Sequence, residues 1–261
     1  MSAAIPTDDR GLLLGDGLFE TILFKAGRPV LWDAHLRRLA GACAVMGLAE
    51  PDRERLAEAA AMALAASGLD RARAAVRLSW TAGAGGRGLE RPPKPEPRLI
   101  AAAAASSRPE SAAVLALSAI RRNESSPASR LKTLSYLDNV LARRDARAAG
   151  ADEALMLNSR GELAGCAAAN LFWLADSRLF TPALECGVLD GIMRAQVMAV
   201  APALGLETVE IRAGVRALDG ADAVFITNSL IGLRQAMRLD GRDLRSDGRV
   251  GALAAALDAV I

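Results

Sequence analysis

Residues 130–139 read Arg-Leu-Lys-Thr-Leu-Ser-Tyr-Leu-Asp-Asn, and Lys132 within them decides how the rest of the chain is read. The chain holds 32 Lys plus Arg, yet only Lys25, Lys94 and Lys132 are lysines. Any chemistry that needs an amine nucleophile therefore has three candidates. Lys25 lies in Phe-Lys-Ala-Gly-Arg-Pro, the pattern of an exposed hairpin turn. Lys94 lies in Arg-Pro-Pro-Lys-Pro-Glu-Pro, where prolines exclude a helix interior or a central strand. Lys132 alone stands between apolar neighbours, at the mouth of a helix expected over 133–149. Desolvation there would lower its pKa and make it a nucleophile or base. The plainer reading is a surface lysine that extends its charge to water.

Outward from this stretch, residues 122–131 are polar and read as a joint between two domains. Before it, residues 10–31 carry two strands joined by a turn, followed by a helix from Ala34 to about Leu48 capped by Asp33. A second helix starts at Pro51 and ends at Ser67, with Gly68 as its stop. Strand-like runs follow at 75–80, 98–103 and 113–120. After the joint and the helix at 133–149, strands are expected at 153–158, 163–165, 169–175, 178–181, 207–212 and 223–227. Helices are expected at 191–203, near 215–219, and at 248–260. The pattern is α+β, with domains at 1–121 and 132–261 about the joint 122–131.

Composition narrows the function. A net charge of +2 without a basic block rich in aromatics argues against nucleic acid. One histidine and three scattered cysteines offer no zinc cluster and no disulfide framework, which fits a reducing cytoplasm. No apolar run approaches 18 residues and no signal segment opens the chain, so no membrane role is expected. A Ser-His-Asp hydrolase lacks its Gly-x-Ser-x-Gly turn. Gly187 and Gly191 flank a helix start whose free amides could meet an anion. His35, beside Arg37 and Arg38, reads locally as a part-buried histidine next to solvated arginines.

Five separated segments, in order, resemble one family. They are Asp9–Thr21, His35–Leu39, Lys132–Leu137 with Ala151–Leu155, Cys166–Trp173, and Thr181–Leu184 running into Gly187–Arg194. They are similar to the motifs of the fold-type IV (class IV) pyridoxal-phosphate aminotransferases. The resemblance implies the two-domain fold of D-amino acid aminotransferase, with pyridoxal 5'-phosphate in the cleft, and a homodimer. It implies that Lys132 holds the cofactor covalently and then acts as the base. Arg38, the amides of Ile192 and Met193 and the hydroxyl of Ser229 would hold the phosphate, and Leu189 would pack on the pyridine ring.

One position departs from the pattern. The family carries a glutamate five residues before the asparagine of its motif, against the pyridine nitrogen; five before Asn170 here is Gly165. Glu162 is three residues earlier, an odd offset that faces the other side of a strand unless a bulge intervenes. Without the carboxylate the ring is a weaker electron sink, which disfavours transamination. Gly83–Gly88, with Arg87 for a substrate carboxylate, and Gly191-Ile192-Met193-Arg194 look most like 4-amino-4-deoxychorismate lyase. That implies release of pyruvate and 4-aminobenzoate, a step in folate biosynthesis. The alternatives are a branched-chain or broad-specificity class IV aminotransferase, and a catalytically weak cofactor-binding protein.

Overall fold

The computed structural model describes residues 5–261 and divides into two compact units. The first takes the chain up to Ser107 together with Leu131–Ser135; the second takes Arg108–Arg130 and Tyr136–Ile261. The division is drawn otherwise than at 1–121, 122–131 and 132–261, and hydrogen bonding is the reason. Strand 113–117 enters the second unit's sheet, whereas residues 132–134 bond to the first unit's first strand.

In the first unit, helix α1 (Arg10–Leu14) precedes strands β1 (Gly17–Lys25) and β2 (Arg28–Pro29). Helices α2 (Trp32–Met46) and α3 (Arg53–Ala66) follow, then strands β3 (Arg73–Thr81) and β4 (Arg98–Ala105). The sheet order is β2-β1-β3-β4, with every pair antiparallel. The triple leucine 12–14, expected within a strand, is helical because Asp9 caps the turn at Gly11 and Leu12 and Gly15 ends it at φ +66°. Leu18, Ile22, Leu39, Leu56, Val76 and Leu78 form the core with at most 2% exposure. Each such side chain contributes roughly 1.5–3 kcal/mol by leaving water.

The second unit contains β5 (Ala113–Leu117), α4 (Leu137–Ala148), β6 (Glu153–Leu157) and β7 (Leu163–Cys166). It continues through β8 (Asn170–Ala175), β9 (Arg178–Pro182), α5 (Ile192–Val200) and β10 (Glu207–Ile211). Strands β11 (Ala223–Asn228), β12 (Gly232–Leu239) and β13 (Arg242–Asp243) and helix α6 (Gly248–Asp258) complete it. The mixed sheet runs β10-β9-β8-β11-β12-β5-β6-β7, with β13 beside β12. Strand β12 escaped the sequence reading because Arg234, Gln235 and Arg238 interrupt its alternation, although it lies between β11 and β5. Helix α4 begins at Leu137 rather than 133, so Lys132 is not at a helix mouth.

Candidate active site

Lys132 lies in a turn immediately before Thr133, which makes an isolated antiparallel bridge to Leu18 of β1. The Phe19 amide donates to the Lys132 carbonyl at 2.8 Å, and the Leu134 amide donates to the Gly17 carbonyl at 2.9 Å. This bridged turn stands where the first helical turn was expected, because backbone groups at the edge of β1 need partners. It leaves the Lys132 side chain half-buried, with Nζ 4.0 Å from the centre of the Phe19 ring. The guanidinium of Arg77 lies 3.6 Å from the same centre. Beside Lys132 the Thr133 hydroxyl is buried without a hydrogen-bond partner among the described residues.

The next residue of β1 supplies a group that the motif reading did not single out. Glu20 is 1% exposed, and its carboxylate accepts from Arg38 Nε at 2.8 Å and Nη2 at 2.6 Å, and from His35 Nδ1 at 2.7 Å. Burial pushes the Glu20 carboxyl up, but the bonds from Arg38 and His35 outweigh it and hold it down to about 2. An ionised carboxylate can only accept, so His35 carries its proton on Nδ1. Burial foremost, with Arg38 and Lys132 nearby, lowers the His35 pKa despite Glu20, which leaves the ring neutral at pH 7. His35 is thus fully buried, beyond the part-buried state expected, while Arg37 one position away is exposed. Arg38 and Lys132 thus bring positive charge to the surroundings of His35, which suits an anionic ligand. A visible signal for Glu20 existed: it shares a period-two face with Leu18, Ile22 and Phe24, where a charge needs partners.

Arg87 lies elsewhere in the first unit, exposed on the loop between β3 and β4. The other expected residues belong to the second unit and gather about residues 165–170. Asn170 Nδ2 donates to the Leu189 carbonyl at 2.9 Å. Gly191, next along, has no room for a side chain, since a Cβ would lie 1.8 Å from Asn170 Oδ1. Helix α5 then starts at Ile192 and Met193 with no side-chain cap, so its first amides are available to an anion. Ser229 is half-buried in the turn after β11, and its neighbour Asn228 donates to the Ala168 carbonyl at 2.9 Å. Arg122 Nη2 donates to the Cys166 carbonyl at 2.8 Å, and Asn139 Nδ2 to that of Ala167 at 2.6 Å. Three consecutive carbonyls are therefore each fixed by a separate side chain, an arrangement that no local pattern announced.

Gly165 is buried in β7 with φ +81°, a backbone that glycine adopts freely and other residues rarely do. Glu162 does not stand in for a carboxylate there. It takes bonds from Asn158 Nδ2 at 2.7 Å, Arg212 Nε at 2.9 Å and Arg160 Nε at 3.2 Å. Those bonds, Asn158's first, hold its carboxyl down to about 2 against some burial. Taken by itself, the first unit offers the Arg38 guanidinium, a group suited to a phosphate, and the Lys132 amine, a group suited to an aldehyde; the second unit offers uncapped amides at the start of α5, suited to an anion. The residues at 162 and 165 do not provide the ring nitrogen's carboxylate.

The comparisons agree with this chemistry. The profile of the family described as "Amino-transferase class IV" matches residues 17–239. The chain is 30% identical to aminodeoxychorismate lyase of Bacillus subtilis over 233 residues, 88% of this chain and 79% of that protein. It is 28% identical to D-alanine aminotransferase of Listeria monocytogenes over 266 residues, 98% and 89% of the two chains. Its fold superposes with a TM-score of 0.91 on a Legionella pneumophila protein provisionally named 4-amino-4-deoxychorismate lyase, at 28% identity and with 100% and 97% of the chains covered. The α+β chain belongs to the class IV aminotransferase family and is a pyridoxal-phosphate-dependent enzyme.

Proposed function

We propose that the enzyme is a 4-amino-4-deoxychorismate lyase that releases pyruvate and leaves 4-aminobenzoate. The observation that carries this reading is Gly165, whose left-handed backbone disfavours any carboxylate-bearing residue at the position that would face the ring nitrogen. When bound, pyridoxal phosphate supplies an electron-withdrawing ring that eases loss of a proton from the amine-bearing carbon. Transamination depends on that ring to store the electron pair. The lyase reaction depends on it less, because the electrons leave with the enolpyruvyl group and the remaining ring becomes aromatic. The name of the Bacillus subtilis relative supports the same reading.

In this proposal Lys132 takes the proton from the substrate and gives it back to the departing group. Phe19 beneath its Nζ gives that amine an apolar floor, excluding water on one side. Arg38, its plane set by Glu20, and the first amides of α5 are assigned to phosphate, with Ser229. Leu189 is assigned to the ring face and Arg87 to a substrate carboxylate. The exposed leucines 12–14 of α1, at 62%, 62% and 44%, are consistent with the homodimer that the resemblance implies.

A second reading, a branched-chain or broad-specificity aminotransferase, draws on relatives named for branched-chain-amino-acid and for D-alanine transamination. One experiment separates them. Purified enzyme is given aminodeoxychorismate, and separately a branched-chain amino acid with 2-oxoglutarate. Formation of 4-aminobenzoate in the first mixture and little glutamate in the second is expected; the opposite outcome overturns the proposal.

A further inference from the structure

Two glycine-bearing stretches of the first unit, Asp9–Gly17 and Gly83–Gly88, meet around one buried cation. Arg10 is 4% exposed. Its Nε donates to Asp16 Oδ2 at 2.9 Å, Nη1 to the Glu90 carbonyl at 2.9 Å and the Gly88 carbonyl at 3.4 Å, and Nη2 to the Leu89 carbonyl at 2.9 Å. Three consecutive loop carbonyls thus surround a single guanidinium. A buried charge is costly unless paired, and here one shared carboxylate is not enough, so the carbonyls complete its solvation. The dependence runs both ways: the loop takes its shape from the charge it solvates.

Both stems of the loop are fastened as well. The Arg10 amide donates to the Gly83 carbonyl at 2.8 Å, and the Ala82 amide donates to the Asp16 carbonyl at 2.9 Å. Asp9 accepts from the Thr81 hydroxyl at 2.9 Å, and that hydroxyl accepts from the Gly83 amide at 3.1 Å. At the far stem Arg91 bonds Asp16 through Nε at 3.0 Å and Nη2 at 2.6 Å, and reaches the Met46 carbonyl at 2.7 Å. The curvature this demands falls on Gly83, Gly85, Gly86 and Gly88, at φ +81°, +90°, +87° and +60°. A Cβ on Gly86 would lie 2.1 Å from the Glu90 carbonyl and 3.0 Å from Arg10 Nη1. The result is a loop whose backbone is turned inward while the side chains of Arg87 and Leu89 are turned out to solvent.

We propose that Arg10 is a positioning residue that clamps the loop Gly83–Arg91 and so presents Arg87 in one geometry to a carboxylate of the substrate. The inference rests on the reading of Arg87 as a substrate-binding residue. A merely structural role for Arg10 would affect stability without a selective change in substrate affinity. The clamp instead converts loop order into substrate affinity, because a pre-set arginine pays no ordering entropy on binding.

The test pairs limited proteolysis of the holoenzyme with steady-state kinetics. Trypsin can cut after Arg87, whereas Arg91 and Lys94 each precede proline and resist it. In Arg10→Gln, cleavage between Arg87 and Gly88, read by mass spectrometry, should be at least tenfold faster than in the native protein. The KM for aminodeoxychorismate should rise about tenfold with kcat within twofold, and Arg10→Lys should lie between. Gly86→Ala attacks the same contact from the loop side and should give the same pattern, which covers the case of an unfolded Arg10 variant. Cleavage at the native rate in the folded variants overturns the clamp. Faster cleavage with an unchanged KM overturns its role in substrate binding. A native KM in Arg87→Ala overturns the substrate reading of Arg87, and it is distinguishable because the cleavage assay uses no substrate.

Discussion

Glu20 shows how much a single residue can organise. Its carboxylate meets both Nε and Nη2 of Arg38, a fork-to-carboxylate pairing that fixes the plane of the guanidinium. Arg38→Ala should therefore weaken pyridoxal-phosphate binding at least tenfold, on the order of 2–4 kcal/mol, in a fluorescence titration of the apoenzyme. Arg37→Ala, on the exposed side of α2, should leave it within twofold. The pH dependence of stability follows from Glu20 as well. Its carboxyl falls from 4.5 to about 2 on folding, so its contribution is fully present above pH 4.5 and is lost as pH falls through 2. The linkage amounts to about 3 kcal/mol at neutral pH. The stability gap between native protein and Glu20→Gln in urea should thus be widest near pH 7 and should narrow steadily between pH 4.5 and 2.

At the scale of the element, glycines separate into those the fold requires and those it tolerates. Gly191 opens α5 against Asn170, and Gly191→Ala must break the Asn170–Leu189 bond or shift the helix start. It should lower thermal stability by roughly 1–3 kcal/mol and weaken cofactor binding, because an orphaned buried polar group adds to the clash. Gly251, in α6, has nothing within 4 Å of its Cβ position. Gly251→Ala should stabilise by up to about 1 kcal/mol, from helix propensity alone, in the same thermal melts. Gly165 falls between the two. At φ +81° with the Ala169 carbonyl 3.3 Å from its Cβ position, Gly165→Glu should cost about 1–3 kcal/mol of strain. If the added carboxylate reaches the ring nitrogen, half-transamination of simple amino acids should rise while 4-aminobenzoate formation changes less. Spectral titration with an amino acid measures the first, and product fluorescence the second.

Across the whole molecule the chain returns to its first unit for five residues, Leu131–Ser135, and Lys132, the lysine proposed to hold the cofactor, is among them. Lys132→Ala should abolish the visible absorption of the bound cofactor and all turnover, yet leave thermal unfolding within about 0.5 kcal/mol. The segment is held to β1 by backbone bonds, which the substitution spares. Much of this was legible from residues alone. Lysine scarcity isolates Lys132, and glycines, caps and alternating apolar residues mark most elements, because those signals arise from local sterics and from the two periodicities of side-chain direction. The missing carboxylate at 165 is likewise a matter of counting along the chain. What neighbours in sequence cannot carry is pairing across distance. The partners of Glu20 are fifteen and eighteen residues away, the carbonyls around Arg10 are 78 to 80 residues away, and strand β12 is a strand because β11 and β5 flank it. Residues 133–135 have a sequence suited to a helix and are held out of one by the bridge of Thr133 to Leu18 and the bond of the Leu134 amide to the Gly17 carbonyl. Local preference amounts to a few tenths of a kcal/mol per residue, whereas buried polar groups left without partners cost several times more, so tertiary pairing decides these positions.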